Sequence, residues 1–420
     1  MMRAPQMKTT DELETLPARQ ASAAVVIADD LTGACDTGVQ FALRGLNSIV
    51  ELASSDPPLE AEIRIANSRS RHQSPEAAAE EVERLTRPMA PAANAILFKK
   101  IDSTLRGNIV SESRAMMRAA ALDFAVLAPA LPAQGRSVAR GVLHIRDCTG
   151  SLAIDVRELL SQQGLDKIAL LSAGVAARPG KIAQDILQLR ATGTEFIICD
   201  SETEQDLERI AQALHELPTR PLWVGSAGLA KYAAQILAIA RDSSGSPHVT
   251  SPGKIGTPAA RNSDGHRAPV LFCVGSDHPV TLLQVKRLEE SGQASALDAK
   301  TATPSDVRKI IQQMRHALLL LYDASAADRA RIRLLIAEAH RSGISAAFLS
   351  GGSTAELVCD AIGATAIQLQ DEVSPGIPRG ILRGGLLDRL AVATKAGGFG
   401  DEMALVNAAK ILCAIAPDAA

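Results

Sequence analysis

The chain is predicted to be an α/β protein of two domains, each a mostly parallel sheet flanked by helices, with the functional site in the cleft between them. Three observations predict this. Short apolar runs alternate with Ala-rich helical stretches over most of the length, the runs are apolar on both faces, and a Gly/Ser/Pro-rich segment at 241–267 splits the alternation in two. Alternation of this kind implies βαβ units and a parallel sheet. Strands apolar on both faces fit between two helix layers.

The elements follow in order. Residues 1–21 are polar, lack the apolar core of a signal peptide and read as a disordered tail. The first domain, 22–240, carries AAVVIADD (23–30), a short IRIA run, AILFKKID (95–102), DFAVLAPA (123–130), KIALLSA (167–173), EFIICD (195–200) and PLWVGSAG (221–228) as strands running into turns. Helical spacing marks 75–87, 108–121 and 203–217. Segment 241–267 has no periodicity and reads as a linker or surface excursion. The second domain, 268–420, resumes with strands at 268–276, 317–323 and 346–353 and helices over about 280–292 and 326–341.

Composition narrows the function. A net charge of −3 excludes a broad basic face for nucleic acid, and 2% aromatic residues leave few stacking platforms for single strands. No apolar stretch is long enough to span a bilayer. The six cysteines form no CxxC pair, so no zinc knuckle is expected, and Cys199 and Cys273 sit in apolar runs as core residues. The pattern suggests a reducing, cytoplasmic setting. The Ala-rich helices could pack into a homodimer.

Four turns concentrate chemistry. Asp29 and Asp30 end the first strand, before Thr32, Gly33 and a helix that carries Asp36. Carboxyl ends of parallel strands are where such sheets bind ligands. Paired acids there can accept hydroxyl hydrogen bonds, take a proton or hold Mg²⁺ through water; a lone Asp would simply cap the helix. Lys99 to Asn108 places Lys100, Ile101, Asp102, Ser103 and Arg106 at another strand end, where bases can neutralise a carboxylate or phosphate. Arg69, in ANSRSR, could join them. Gly351, Gly352, Ser353 and Thr354 lead a strand into a helix, a phosphate-type turn without the Walker A spacing or lysine. Gly397 and Gly398 in TKAGGFG, and Ser276 after CVG, offer further backbone and hydroxyl contacts for a nucleotide, while Gly225–Gly228 is expected near the domain interface. His278 fits no metal-ligand spacing. Acids and bases thus cluster before the linker and glycine turns after it, as suits an anionic substrate on one domain and a nucleotide on the other.

At ADDLTGACDTGVQFALRG, KKIDSTLRGNI, GSAGLA, SGGSTAELV and KAGGFG, in register from about residue 22 to the C-terminus, the chain resembles the four-carbon acid sugar kinase family. The resemblance implies a sugar-acid-binding N-terminal domain and an ATP-binding C-terminal domain. It implies substrate contacts at Asp29 or Asp30, at Arg69 and along Lys100, Ile101, Asp102 and Ser103. It implies ATP contacts at Ser276, along Gly351 to Thr354 and near Gly397 and Gly398. The ANSR segment departs from the acid-containing DTxSR form of the family, and Ser353 replaces an acidic or Thr-like residue. The implied reaction is transfer of the ATP γ-phosphate to the C4 hydroxyl of D-threonate or D-erythronate. Asp30 is the first choice to orient or deprotonate that hydroxyl, with Asp102 second. Arg69 and Lys100 would hold the carboxylate, and Mg²⁺, with no protein ligands assigned, would bridge the phosphates. The alternatives are a 3-oxo-tetronate kinase, a sugar-acid-binding protein without catalysis, and a dehydrogenase; the last lacks a GxGxxG after the first strand.

Overall fold

The computed structural model describes residues 22–53, 59–89, 95–147, 150–172, 178–244 and 268–414. The expected tail and most of the expected linker lie outside them. The helix Ala227–Ser244 carries regular structure four residues into the segment assigned to the linker.

Both predicted parallel sheets form, and they are joined edge to edge. Fifteen strands make one sheet in the order Ala294–Asp298, His316–Leu320, Val270–Val274, Ala346–Ser350, Ala391–Lys395, Ile377–Arg383, Ala366–Ser374, Ser48–Glu51, Ile63–Asn67, Ala24–Ala28, Ile96–Lys100, Leu222–Gly225, Ala125–Ala128, Phe196–Cys199 and Ile168–Leu171. The seam is antiparallel, with Ile367 opposite Val50. The continuity was not expected, because the seam strand AIQLQDEVS and its neighbour IPRGILR are too polar to read as buried runs. A separate three-stranded antiparallel sheet, Arg136–Ala139, Val142–Asp147 and Gly150–Asp155, was also not expected. Its first hairpin turns at Arg140 and Gly141, both at positive φ (52° and 75°), which matches strand twist in a two-residue turn.

Register brings the strand ends into line. Ala28 pairs with Asn67 on one side and Lys100 on the other, so Asp29–Asp30, Ser68–Arg71 and Ile101–Ser103 leave the sheet side by side. In the other half Ser350 pairs with Val274 and Lys395, so the turns at Gly275, Gly351 and Ala396 are likewise neighbours.

The helix Leu31–Ala42 ties the halves together. A Cβ on Gly38 would lie 2.5 Å from Ile65 Cδ1 of the first half and 2.5 Å from Leu369 Cδ1 of the second. Glycine there lets the helix approach strands of both halves, at some cost in helix propensity. Cys199 and Cys273 are fully buried, as read from sequence.

Candidate active site

The strand ends of both halves open into one cleft of about 850 Å³. Asp29, Asp30, Arg69, Lys100, Asp102 and Ser103 line it from the first half. Ser276, Gly351, Gly352, Ser353, Thr354, Gly397 and Gly398 line it from the second. Ile101 does not; its side chain is core, and its carbonyl accepts a 2.8 Å hydrogen bond from Lys100 Nζ.

Asp30 is the N-cap of Leu31–Ala42. Its Oδ1 accepts from the Gly33 amide at 2.8 Å, and its Oδ2 accepts from Thr32 Oγ1 at 2.8 Å and Arg71 Nη1 at 2.9 Å. Asp30 thus caps the helix and at the same time lines the cleft. Across the cleft, the Leu31 amide (3.3 Å) and Asn67 Nδ2 (2.7 Å) both donate to Glu356 Oε1 in the helix Gly352–Ile362. Burial pushes the Glu356 carboxyl up.

Arg71 organises the acids, and the sequence did not single it out. Its guanidinium donates to both Asp29 oxygens at 2.8 Å and to Asp30, and lies 3.8 Å from Asp102 Oδ1. Arg69, two residues earlier and at positive φ (51°), instead reaches Asp360 through both terminal nitrogens, at 2.8 and 2.7 Å. The guanidinium expected to hold a substrate carboxylate thus joins the two halves. Burial alone would raise the Asp102 carboxyl, but hydrogen bonds from Arg106 and Thr104 and the charge of Arg71 hold it well below the usual range. That makes Asp102 a poor proton acceptor.

The glycine turns of the second half lie side by side at the cleft. Gly351 sits at φ 102°, which favours glycine, and its amide donates to the Lys395 carbonyl at 2.9 Å. A Cβ on Gly397 would overlap Ser276 Oγ. Lys395 is fully buried beneath this turn and donates to Thr281 Oγ1 (3.1 Å) and to the Ala396 and Gly397 carbonyls (3.0 and 3.1 Å). Desolvation pushes its ammonium down to about 7. Phe399 reaches back to pack with Leu131 and with Ala227 of the Gly225–Gly228 turn, which does lie between the halves.

A fold with strand ends, paired acids and glycine turns around one cleft defines a small-molecule enzyme site of the doubly wound type. Comparison with known proteins agrees. Residues 24–233 match a sugar-binding N-terminal domain and residues 323–405 a nucleotide-binding C-terminal domain. D-threonate kinase of Salmonella typhimurium is 31% identical, over 91% of this chain and 97% of its own, and that of Bordetella bronchiseptica is 31% identical over 92% and 96%. A 3-oxo-tetronate kinase of Pseudomonas savastanoi pv. phaseolicola is 26% identical over 93% and 97%. A solved Salmonella typhimurium structure has the same fold, with a TM-score of 0.72 at 21% identity, covering 94% of this chain and 100% of that one. The chain belongs to the four-carbon acid sugar kinase family.

Proposed function

We propose that the protein transfers the γ-phosphoryl group of ATP to the terminal C4 hydroxyl of a four-carbon sugar acid, D-threonate first and D-erythronate second. The observation that carries this reading is the single cleft lined by the acid-bearing strand ends of one half and the glycine turns of the other. On this reading 22–240 binds the sugar acid and 268–420 the nucleotide, in agreement with the two matched domain models.

Phosphoryl transfer asks the protein mainly for positioning and charge neutralisation. Gly352, Ser353 and Thr354 open a helix at the cleft behind the Gly351 cap, and backbone amides and the helix dipole there favour phosphate. Ser276, Gly397 and Gly398 would close the other side of the nucleotide. Lys100 would meet the substrate carboxylate, and Arg69 would add to it on loosening from Asp360. Asp30, with its oxygens already accepting three hydrogen bonds, suits orienting the hydroxyl. Among the described residues no three His, Cys, Asp or Glu side chains gather around a metal position. Mg²⁺ would therefore be held chiefly by the nucleotide's phosphates and water.

An ADP-release assay over threonate, erythronate and 3-oxo-tetronate stereoisomers tests the reading. D-threonate is expected to give the highest kcat/KM. A preference for a 3-oxo acid would favour the second kinase type among the relatives. ADP release indifferent to every acid would remove the proposal.

A further inference from the structure

Among the described residues Asp36 is the one buried acid of the cleft lining without a role in the proposed reaction; Asp277, also in the lining, is exposed. It lies on Leu31–Ala42, where Thr32, Gly33 and Asp36 follow the helical repeat and all face the cleft. Its residue is only 7% exposed. Among the described residues no hydrogen bond or ion pair reaches its carboxylate; Gln40 Nε2 touches only its main-chain carbonyl, at 3.4 Å. The contrast with its neighbours is sharp. Asp29 is held by Arg71, Asp30 by Gly33, Thr32 and Arg71, and Asp102 by Arg106 and Thr104. A carboxylate that faces the cleft with no protein donor leaves its oxygens for a ligand to complete.

We propose that Asp36 is the proton acceptor of the reaction, receiving the hydrogen of the attacking hydroxyl. The inference rests on the phosphotransfer reading and goes beyond it by naming the base. As the hydroxyl oxygen forms its bond to the γ-phosphorus, the bond from that phosphorus to the oxygen bridging to the β-phosphate breaks. ADP leaves with that electron pair, the proton passes to Asp36, and Asp36 returns it to solvent after product release.

The surroundings of Asp36 suit this task. Burial is the main influence and pushes its carboxyl up to about 7, close to the working pH that favours a general base. The charged groups facing it come from four elements. Lys100 at its strand end and Arg136 of the small sheet favour the ionised form, while Glu372 of the seam strand and Asp30 at the helix cap oppose it. Asp36 is thus protonated below about pH 7 and able to accept a proton above it.

The test uses the full chain with ATP and the best acid from the ADP-release screen. Wild-type kcat/KM should rise with pH through an acidic limb near 7. Asp36→Asn should lower kcat by about 100-fold or more, the usual range for losing a general base, with the KM for ATP little changed. Its residual rate should lack the limb, and Asp36→Glu should restore part of the rate. Glu372→Gln, which removes an opposing charge outside the cleft lining, should move the limb to lower pH while most of the turnover stays. Thermal melts of each variant separate misfolding from lost chemistry. A folded Asp36→Asn protein that keeps a third or more of wild-type kcat with an unchanged limb overturns the assignment and leaves the kinase reading standing. Wild-type protein that releases no ADP with any acid ends both.

Discussion

Gly352 of the second half abuts Asp30 of the first: a Cβ built on Gly352 would overlap Asp30 Oδ2 and lie 3.3 Å from Asp30 Cγ. The phosphate-type turn and the helix-capping acid are therefore fitted to one another atom against atom. Gly352→Ala must push Asp30 away or open the cleft. We expect kcat to fall by about 10–100-fold, since misplacement by roughly 1 Å costs about that much in reactions limited by orientation. The melting temperature should change little. Wild-type kinetics for this variant would show that the contact is not held during turnover.

Arg71 neutralises Asp29 and Asp30 in a poorly exposed setting, with its side chain 12% exposed and that of Asp29 3%. Arg71→Met leaves these carboxylates without their cation. Breaking a buried pair in this way costs about 3–5 kcal/mol. Urea unfolding should show a loss toward the lower end of that range, because the cleft admits some water.

The pair between Arg69 and Asp360 is more exposed, at 35% and 24% of the side chains, and joins the two halves. Its coupling energy in a double-mutant cycle of Arg69→Ala and Asp360→Ala should be only about 0.5–1 kcal/mol. Kinetics carry more information. Asp360→Ala frees the guanidinium, so the KM for the sugar acid should fall or hold, whereas Arg69→Ala should raise it. A rise in that KM in both variants would make the pair a purely structural latch.

Lys395 gives a pH signature. Burial depresses its folded pKa to about 7, against about 10.4 in the unfolded chain. The folded state therefore resists protonation: stability is fullest above the unfolded value and is lost as pH falls through the window down to about 7. Lys395→Met removes this dependence. The stability of wild type relative to Lys395→Met should rise by about 2 kcal/mol from pH 7 to pH 9, measured by denaturant unfolding at both pH values. A difference that does not vary with pH would mean that Lys395 stays charged when folded.

Most parallel strands were legible because each is an apolar run ending in a polar turn; AAVVIADD and AAFLSGGS contain Ala24–Ala28 and Ala346–Ser350 within them, whereas the parallel strands Ser48–Glu51, Ala294–Asp298 and Ala391–Lys395 were not read. Most of the cleft lining was legible for the same reason, since it hangs on those strand ends. The seam strand Ala366–Ser374 was not, because it carries Gln368, Gln370, Asp371 and Glu372 in nine residues and hides its pairing in cross-strand partners. The small sheet was missed because Gly150–Asp155 is almost wholly exposed and offers no apolar pattern.

By itself the sequence determined most of the buried parallel strands and the helices between them, and which turns carry acids, bases and glycines. Apolar periodicity and capping are local properties, so they can be read without knowing what lies nearby. Only the tertiary structure decided who partners whom. Arg69 and Arg71 are two residues apart in the same segment, yet one crosses to Asp360 and the other gathers Asp29 and Asp30. Asp30 and Asp36 share one helix, yet one is saturated with donors and the other has none among the described residues. Charge pairing and desolvation act through space over a few ångströms, and the groups that set them here are separated by up to some three hundred residues of chain.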